Sequence, residues 1–272
     1  MTPTKTFQKR VSGKKIKEGI NSVIDIVRLI TKDYLCSYDF DSRSDVRFKK
    51  KDDPVTAMDT MLEGMIREQL KKIDGITLVG EEEGGSSEGA DLVAYIDPID
   101  GTKSFLREDF RSATSVGIEF QGNLIAGLVF DFMKDIAYSA IDGKCVRRRG
   151  VRETPRFAAR YRFGRPRISV DMEGIRTIID KNLPFSPVKA EGSIALGMAE
   201  CAIGAYDAMI DYPSPKTHTW DIAGGAALIQ AQGFYFTDIY GNPFNHRKPE
   251  NGFIACKPEF AEQVPKHFLL KK

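Results

Sequence analysis

The segment "YIDPIDGTKSF", residues 95 to 105, sets Asp97 and Asp100 around Pro98 at the end of an apolar run, with Gly101-Thr102 and Lys103 after them. Carboxylates this close repel one another unless positive charge lies between them. "GEEEGG" places Glu81, Glu82 and Glu83 at the end of another apolar run, and "WDIAGG" places Asp221 directly before the apolar-periodic "IAGGAALIQAQ". Singly, these read as a solvated loop, a turn and a helix N-cap. Together they repeat one pattern: an acid at a strand end or helix start, followed by small residues.

Hard divalent cations such as Mg²⁺ are held by carboxylate and backbone carbonyl oxygens. Pro98 fixes its φ and donates no hydrogen bond, so its turn can aim Asp97, Asp100 and the Ile99 carbonyl to one side. Gly101 lets backbone amides approach an anion closely, and a helix starting there would favour a phosphate. Cations between the carboxylates and a phosphate would cancel the repulsion.

These residues need elements to position them. Ile16, Ile20, Val23, Ile24, Val27 and Ile30 recur at helical steps, and a second helix is expected after "DPVTAMD" with Leu62, Met65, Ile66, Gln69, Leu70 and Ile73 on one stripe. "ITLVGE" and "LVAYID" read as strands separated by the polar loop "GGSSEGAD". Ser112–Phe120, Leu124–Phe132 and Asp135–Ile141, punctuated by "QGN" and "DG", read as an antiparallel meander. The basic stretch 144–166 reads as irregular and as a boundary. Beyond it, "RISVDM", a helix near 173–182, a helix from Ser193, "YDAMIDY", a helix from Asp221, "FYFTDI" and "GFIAC" alternate, which suggests an α/β half. The expected division is 1–150, an α+β half carrying most acids, and 151–272, an α/β half carrying Asp221.

The composition narrows the function classes. The chain has 272 residues, 42% hydrophobic and 29% charged, with a net charge of +2, which gives no global electrostatic case for nucleic acid. The four cysteines form no C-x-x-C pair and read as reduced thiols of a cytoplasmic protein. The basic start has no apolar signal core, and no run is long enough to span a bilayer. His218, His246 and His267 form no H-E-x-x-H, and no G-x-x-x-x-G-K-[ST] occurs.

In this order and at these separations, "DPVTAMD", "GEEE", "DPIDGT" and "WDIAGG" resemble the inositol monophosphatase family of magnesium-dependent, lithium-sensitive phosphatases, which has fructose-1,6-bisphosphatase relatives. The resemblance runs from about residue 20 to 255 and implies a layered αβαβα sandwich. It implies metal binding by Glu81, Asp97, the Ile99 carbonyl, Asp100 and Asp221, and a catalytic water held by Glu81, Thr102 and Asp59. It further implies about two or three Mg²⁺ ions per site, which activate water and stabilise the entering and leaving oxygens of an in-line displacement. Gly101 and Thr102 would receive the phosphate. Gly192, Ser193 and Asp211 would read the alcohol, with Asp211 where inositol monophosphatases have Glu. A homodimer with a small phosphate-ester substrate, and neither nucleic acid nor membrane as partner, is the implied setting.

Three departures bear on the substrate. Lys103 replaces a small hydroxyl residue and is a candidate phosphate contact. "DYPSPKTHTWD" lengthens the connection over Tyr212–Thr219. "VRRRGVR", with Arg147–Arg149, is more basic than the usual hairpin; its sharper reading is a second-phosphate site suited to fructose 1,6-bisphosphate. The expected activity is Mg²⁺-dependent hydrolysis of inositol 1-phosphate or a similar sugar phosphate. The alternatives are a fructose-1,6-bisphosphatase or dual enzyme and, from another class, a non-catalytic metal-binding regulatory paralogue.

Overall fold

A computed structural model describes residues 13–37, 46–50, 53–109, 111–150, 152–155, 164–189 and 192–271. The basic start before Gly13 and residues 156–163 of the basic stretch lie outside the described residues. The chain runs α1 (Gly13–Ser37), β1 (Arg47–Lys50), β2 (Asp53–Val55), α2 (Ala57–Leu70), β3 (Ile76–Gly80), β4 (Leu92–Asp100), α3 (Thr102–Leu106), β5 (Ala113–Phe120), β6 (Asn123–Asp131), β7 (Ile136–Ile141), β8 (Lys144–Arg149) and β9 (Arg152–Pro155). It continues through β10 (Arg167–Val170), α4 (Met172–Asp180), β11 (Ser186–Lys189), α5 (Ile194–Ala202), β12 (Ala208–Asp211), α6 (Thr219–Ala231), β13 (Tyr235–Thr237), β14 (Phe253–Cys256) and α7 (Pro265–Phe268).

Among the described residues, two sheets accompany a β1–β2 ribbon. A seven-stranded sheet has the order β3-β4-β5-β6-β7-β8-β9, and a five-stranded sheet has the order β11-β10-β12-β14-β13. Side chains alternate across a strand, so each sheet sorts its residues between two layers. Leu92, Ala94 and Ile96 of β4 meet the apolar stripes of α1 and α2, whereas Val93 and Tyr95 face α6. The same alternation turns Asp97 to the α6 side. On β14, Phe253 and Ala255 pack with α5 and α6, while Ile254 and Cys256 meet α4 and α7. The outcome is the layered αβαβα sandwich.

The meander is antiparallel as expected, and it continues further. The basic stretch opens not as irregular chain but as β8, joined to β7 across the Asp142-Gly143 turn with Ile141 opposite Lys144, and β9 pairs with β8 in turn. The seven-stranded sheet therefore extends to Pro155. Arginines on these outer strands conceal the apolar alternation that identifies the inner ones. "SPVK" also forms a strand, β11, parallel to β10.

The helix α6 lies on β5 and β6 with backbone almost touching backbone. A Cβ on Gly224 would sit 2.6 Å from the Leu128 carbonyl and 2.7 Å from Ser115 Oγ. Gly117 and Gly127 leave the matching space from the sheet side. Gly224→Ala is therefore expected to cost about 1–3 kcal/mol through overpacking, read as a lower urea midpoint at unchanged m-value. An unchanged midpoint would show that the contact yields without cost.

Candidate active site

Four helix starts and two strand ends bring the acids together. β4 ends in a bulge: Asp97 is opposite Ser115 and Asp100 opposite Ala113, with the register broken between them at Pro98-Ile99. Pro98 suits the irregular position because it has no N–H to give the ladder. Its carbonyl accepts from Thr114 Oγ1 at 2.8 Å, and the Ile99 side chain is fully buried in the α1–α2 core. Gly101, at φ 83°, turns the chain into α3, and Lys103 in that short helix is exposed.

Asp59 is the third residue of α2 and closes a capping box: its Oδ2 accepts from Thr56 N at 2.8 Å and Thr56 Oγ1 at 2.6 Å. The Thr102 hydroxyl lies 3.0 Å from the Ile99 carbonyl and 3.4 Å from Asp59 Oδ1. Asp221 has the matching place in α6, where Oδ2 accepts from His218 N at 2.7 Å. It is the third helical residue rather than the N-cap, because α6 begins at Thr219. Asp100 Oδ2 accepts from Ser193 Oγ at 2.6 Å and Ala195 N at 2.7 Å, at the start of α5. Ser193 also caps that helix, its Oγ receiving Leu196 N at 2.9 Å. Helix N-termini carry partial positive charge, so these placements ease the burial of acids.

They do not neutralise them. Asp97 is buried and its Oδ1 has no hydrogen-bond partner. Burial raises its pKa well above the usual carboxylate range, and the charges of Glu81, Asp100 and Asp221 raise it further. Asp221 is pushed up to about 8 by burial and then by Asp100. Asp100 rises to about 7 by burial, with the Ser193 hydrogen bond opposing. Asp59 also reaches about 7, again through burial, against its Thr56 bonds. Glu81 follows β3, its amide on the Ile96 carbonyl at 3.1 Å.

Among the described residues, no three His, Cys, Asp or Glu side chains already converge as a finished metal cage. Asp100 and Asp221 lean instead on helix starts. The donor set nonetheless suits a hard cation: all-oxygen, buried at Asp97 and Asp100 and half-buried at Glu81 and Asp221, mutually repelling, with the Asp97 Oδ1 unclaimed.

The expected alcohol-binding residues lie at the start of α5 and the end of β12. Ser193 joins the cluster through Asp100, and Gly192, at φ 69°, precedes it. Asp211 ends β12 with a buried, unpartnered Oδ2. Burial and then the Asp171 charge raise its pKa to about 7. The lengthened connection over Tyr212–Thr219 is tied down by Ser214 N on the Glu250 carbonyl at 3.2 Å. With His218 stacked on Trp220, it lines a cavity of about 420 Å³ that Arg247 and Glu250 complete.

Arg147–Arg149 are not part of this site. β8 is four strands from β4 in the sheet order, roughly 19 Å at the usual strand spacing. Arg148 moreover turns to the α1 side, where it meets Asp25 at 3.0 Å. Arg147 and Arg149, opposite Tyr138 and Ile136, turn to the α5–α6 side, so strand distance alone separates them from the acids of β4.

Two polar clusters lie outside the motifs. Glu63 and Arg67 extend the Asp59 face of α2 in steps of four, and a buried Glu119 joins Tyr95, His246 and Arg247. The first was visible as Asp-Glu-Arg at helical spacing; the second had no local signal, because His246 is 127 residues from Glu119.

Solved structures share this architecture. Thermotoga maritima IMPase aligns with a TM-score of 0.74 at 22% identity, over 94% of this chain and 96% of that one. An IMPase/NADP phosphatase complexed with Mg²⁺ and phosphate aligns with a TM-score of 0.74 at 18% identity, over 94% and 95%. In sequence, the probable inositol 1-monophosphatase ImpA of Mycobacterium tuberculosis is 29% identical over 206 residues, 72% of this chain and 75% of the relative. The Nus factor SuhB of Pseudomonas aeruginosa is 28% identical over 227 residues, 78% and 80%. The family pattern described as "Inositol monophosphatase family" matches residues 20–269, a span that takes in Asp59, the acids of β3 and β4, and Asp221 together, so the chain belongs to the inositol monophosphatase family.

Proposed function

We propose that this member of the family is a Mg²⁺-dependent phosphomonoesterase that hydrolyses inositol 1-phosphate or a similar sugar phosphate by attack of water. The observation that carries the reading is the buried cluster of like charges around Asp97, whose Oδ1 lacks a partner. Glu81, Asp97, the Ile99 carbonyl, Asp100 and Asp221 would hold Mg²⁺, which supplies Lewis-acid charge to activate water and neutralise phosphoryl oxygens. In this reading the Thr102 hydroxyl, 3.4 Å from Asp59 Oδ1, orients the attacking water, and Asp59 takes up its proton through that hydroxyl. The amides of Gly101 and Thr102, at the start of α3, donate to the phosphate. Phosphate release across a panel of phosphomonoesters, with Mg²⁺ or with excess chelator, tests this: equal release under both conditions would sink it.

The relative named as a Nus factor favours a second reading, a regulatory protein that kept the fold. A water-activating set is unnecessary for such a role, and a complete absence of release from every ester, with Mg²⁺ binding intact, would support it.

The acids also set a pH dependence. Asp100 and Asp221 rise in the fold from 3.8 to about 7 and about 8. Between roughly pH 4 and 8 the folded state therefore holds protons that the unfolded chain has lost, and stability falls as pH rises. Mg²⁺ needs the deprotonated acids, so its stabilisation grows over the same window. Melting with and without Mg²⁺ should show a gap in Tm that widens from pH 5.5 to 8; a constant gap would contradict the assignment.

A further inference from the structure

Glu81 occupies the first position of a turn that α2 holds from below. The Glu63 side chain is wholly buried, and each of its oxygens takes a backbone amide of that turn: Oε2 receives Glu82 N at 2.7 Å and Oε1 receives Glu83 N at 3.1 Å. Arg67, one helical turn on, donates Nε to Glu63 Oε1 at 2.8 Å and a second nitrogen to the Gly84 carbonyl at 2.6 Å. Arg67 also meets Glu83 Oε2 at 3.3 Å, and Gly84 in turn receives Gly80 N at 3.0 Å. The fit leaves no slack, since a Cβ at Gly80 would fall on the Glu63 carboxylate. Asp59 lies on the same helix four residues before Glu63, so one helix face fixes both Asp59 and the turn that carries Glu81.

We propose that Glu63 and Arg67 are positioning residues for Glu81: a buried ion pair that clamps the 81–84 turn through its backbone and so sets where the Glu81 carboxylate can meet a cation. This rests on the reading of Glu81 as a Mg²⁺ ligand. A clamp on main-chain atoms cannot slide with side-chain rotamers, which is what holding a ligand turn beside repelling acids requires. Buried charge pairs of this kind act chiefly through the groups they leave stranded when one partner is removed.

The test uses full-length Glu63→Gln and Arg67→Gln with three readouts. Amide exchange at Glu82 and Glu83 in the metal-free protein should quicken at least about tenfold, with β4 and α6 exchanging as in the wild type. Mg²⁺ affinity by calorimetry should weaken about 10–100-fold, the range for groups that orient metal ligands. Phosphate release should then be lost at low Mg²⁺ and largely restored at saturating Mg²⁺. If Glu63→Gln does not fold, Arg67→Gln decides: it takes the guanidinium from the Glu63 carboxylate and the Gly84 carbonyl, so the clamp loosens while Glu63 itself stays. Variants that fold with wild-type Mg²⁺ affinity and unchanged exchange at 82–83 overturn the positioning role alone. A wild-type protein that binds no Mg²⁺ overturns both this role and the functional reading.

Discussion

Asp97→Asn is expected to reduce Mg²⁺-dependent phosphate release on the order of 10³-fold while making the metal-free protein more stable. The two effects share one cause. Asp97 is almost completely buried, its Oδ1 is unpartnered, and burial together with the charges of Glu81, Asp100 and Asp221 opposes its ionisation. Asn has the same size and no charge, so the variant removes a self-repelling group from the apo fold and should gain about 1–4 kcal/mol in chelator. On the proposed reading it also replaces a carboxylate oxygen by an amide nitrogen and removes the charge that would attract a cation, so the rise in Tm that Mg²⁺ produces should shrink or vanish. Phosphate release and urea unfolding, each with Mg²⁺ and with chelator, separate the outcomes. A variant that is less stable in chelator would show that Asp97 serves the fold; one that keeps its activity would remove it from the chemistry. Stability given up for a function-ready site is the expected compromise in such a cluster.

The same cluster marks how far the amino-acid sequence could be read. The acids of β3, β4 and α6 announced themselves because each sits where a strand ends or a helix starts, with small residues close behind. Alternation along β4 then sends Asp97 to the side of α6 without further information. What sequence could not supply was the partner of each acid. Asp100 rests on Ser193 from 93 residues away, and Asp221 closes a capping box that begins at His218. Reading Asp221 as an N-cap missed by three residues because a histidine is an unusual start. Arg147–Arg149 show a different gap: a run of charge states that a surface exists, but only the sheet order places it four strands from β4. Glu63 and Arg67 share the Asp59 face at helical spacing, but only the fold shows that the 81–84 turn meets that face.

The largest expected loss of stability falls on Glu119, at the end of β5. Its carboxylate is wholly buried and serves four groups: Tyr95 Oη at 3.1 Å, His246 Nε2 at 2.6 Å, Gly122 N at 3.0 Å, and Arg247, whose Nε is at 2.9 Å and whose second nitrogen also donates. Arg247 is 43% exposed and can turn to water, but Tyr95 and His246 are buried and cannot. Glu119→Ala should therefore cost about 3–5 kcal/mol, chiefly by stranding those groups, and Glu119→Gln distinctly less because the amide can still accept one of them. Burial works against the Glu119 charge, yet the hydrogen bonds and charges of His246 and Arg247 prevail and hold its pKa well below the ordinary 4.5. The sign follows: the contribution is complete above about pH 4.5 and is lost as pH falls toward the folded pKa, so the wild type should show an acid limb that Glu119→Ala lacks. Urea unfolding from pH 3 to 7 measures both, and a loss under 1 kcal/mol with an unchanged acid limb would refute the account. Tyr95 is two residues before Asp97 on the same face of β4, and Arg247 borders the cavity at His218 and Trp220. Glu119 thus ties the strand of the acid cluster to the wall beside α6, and loosening it should raise KM for the ester before it lowers kcat.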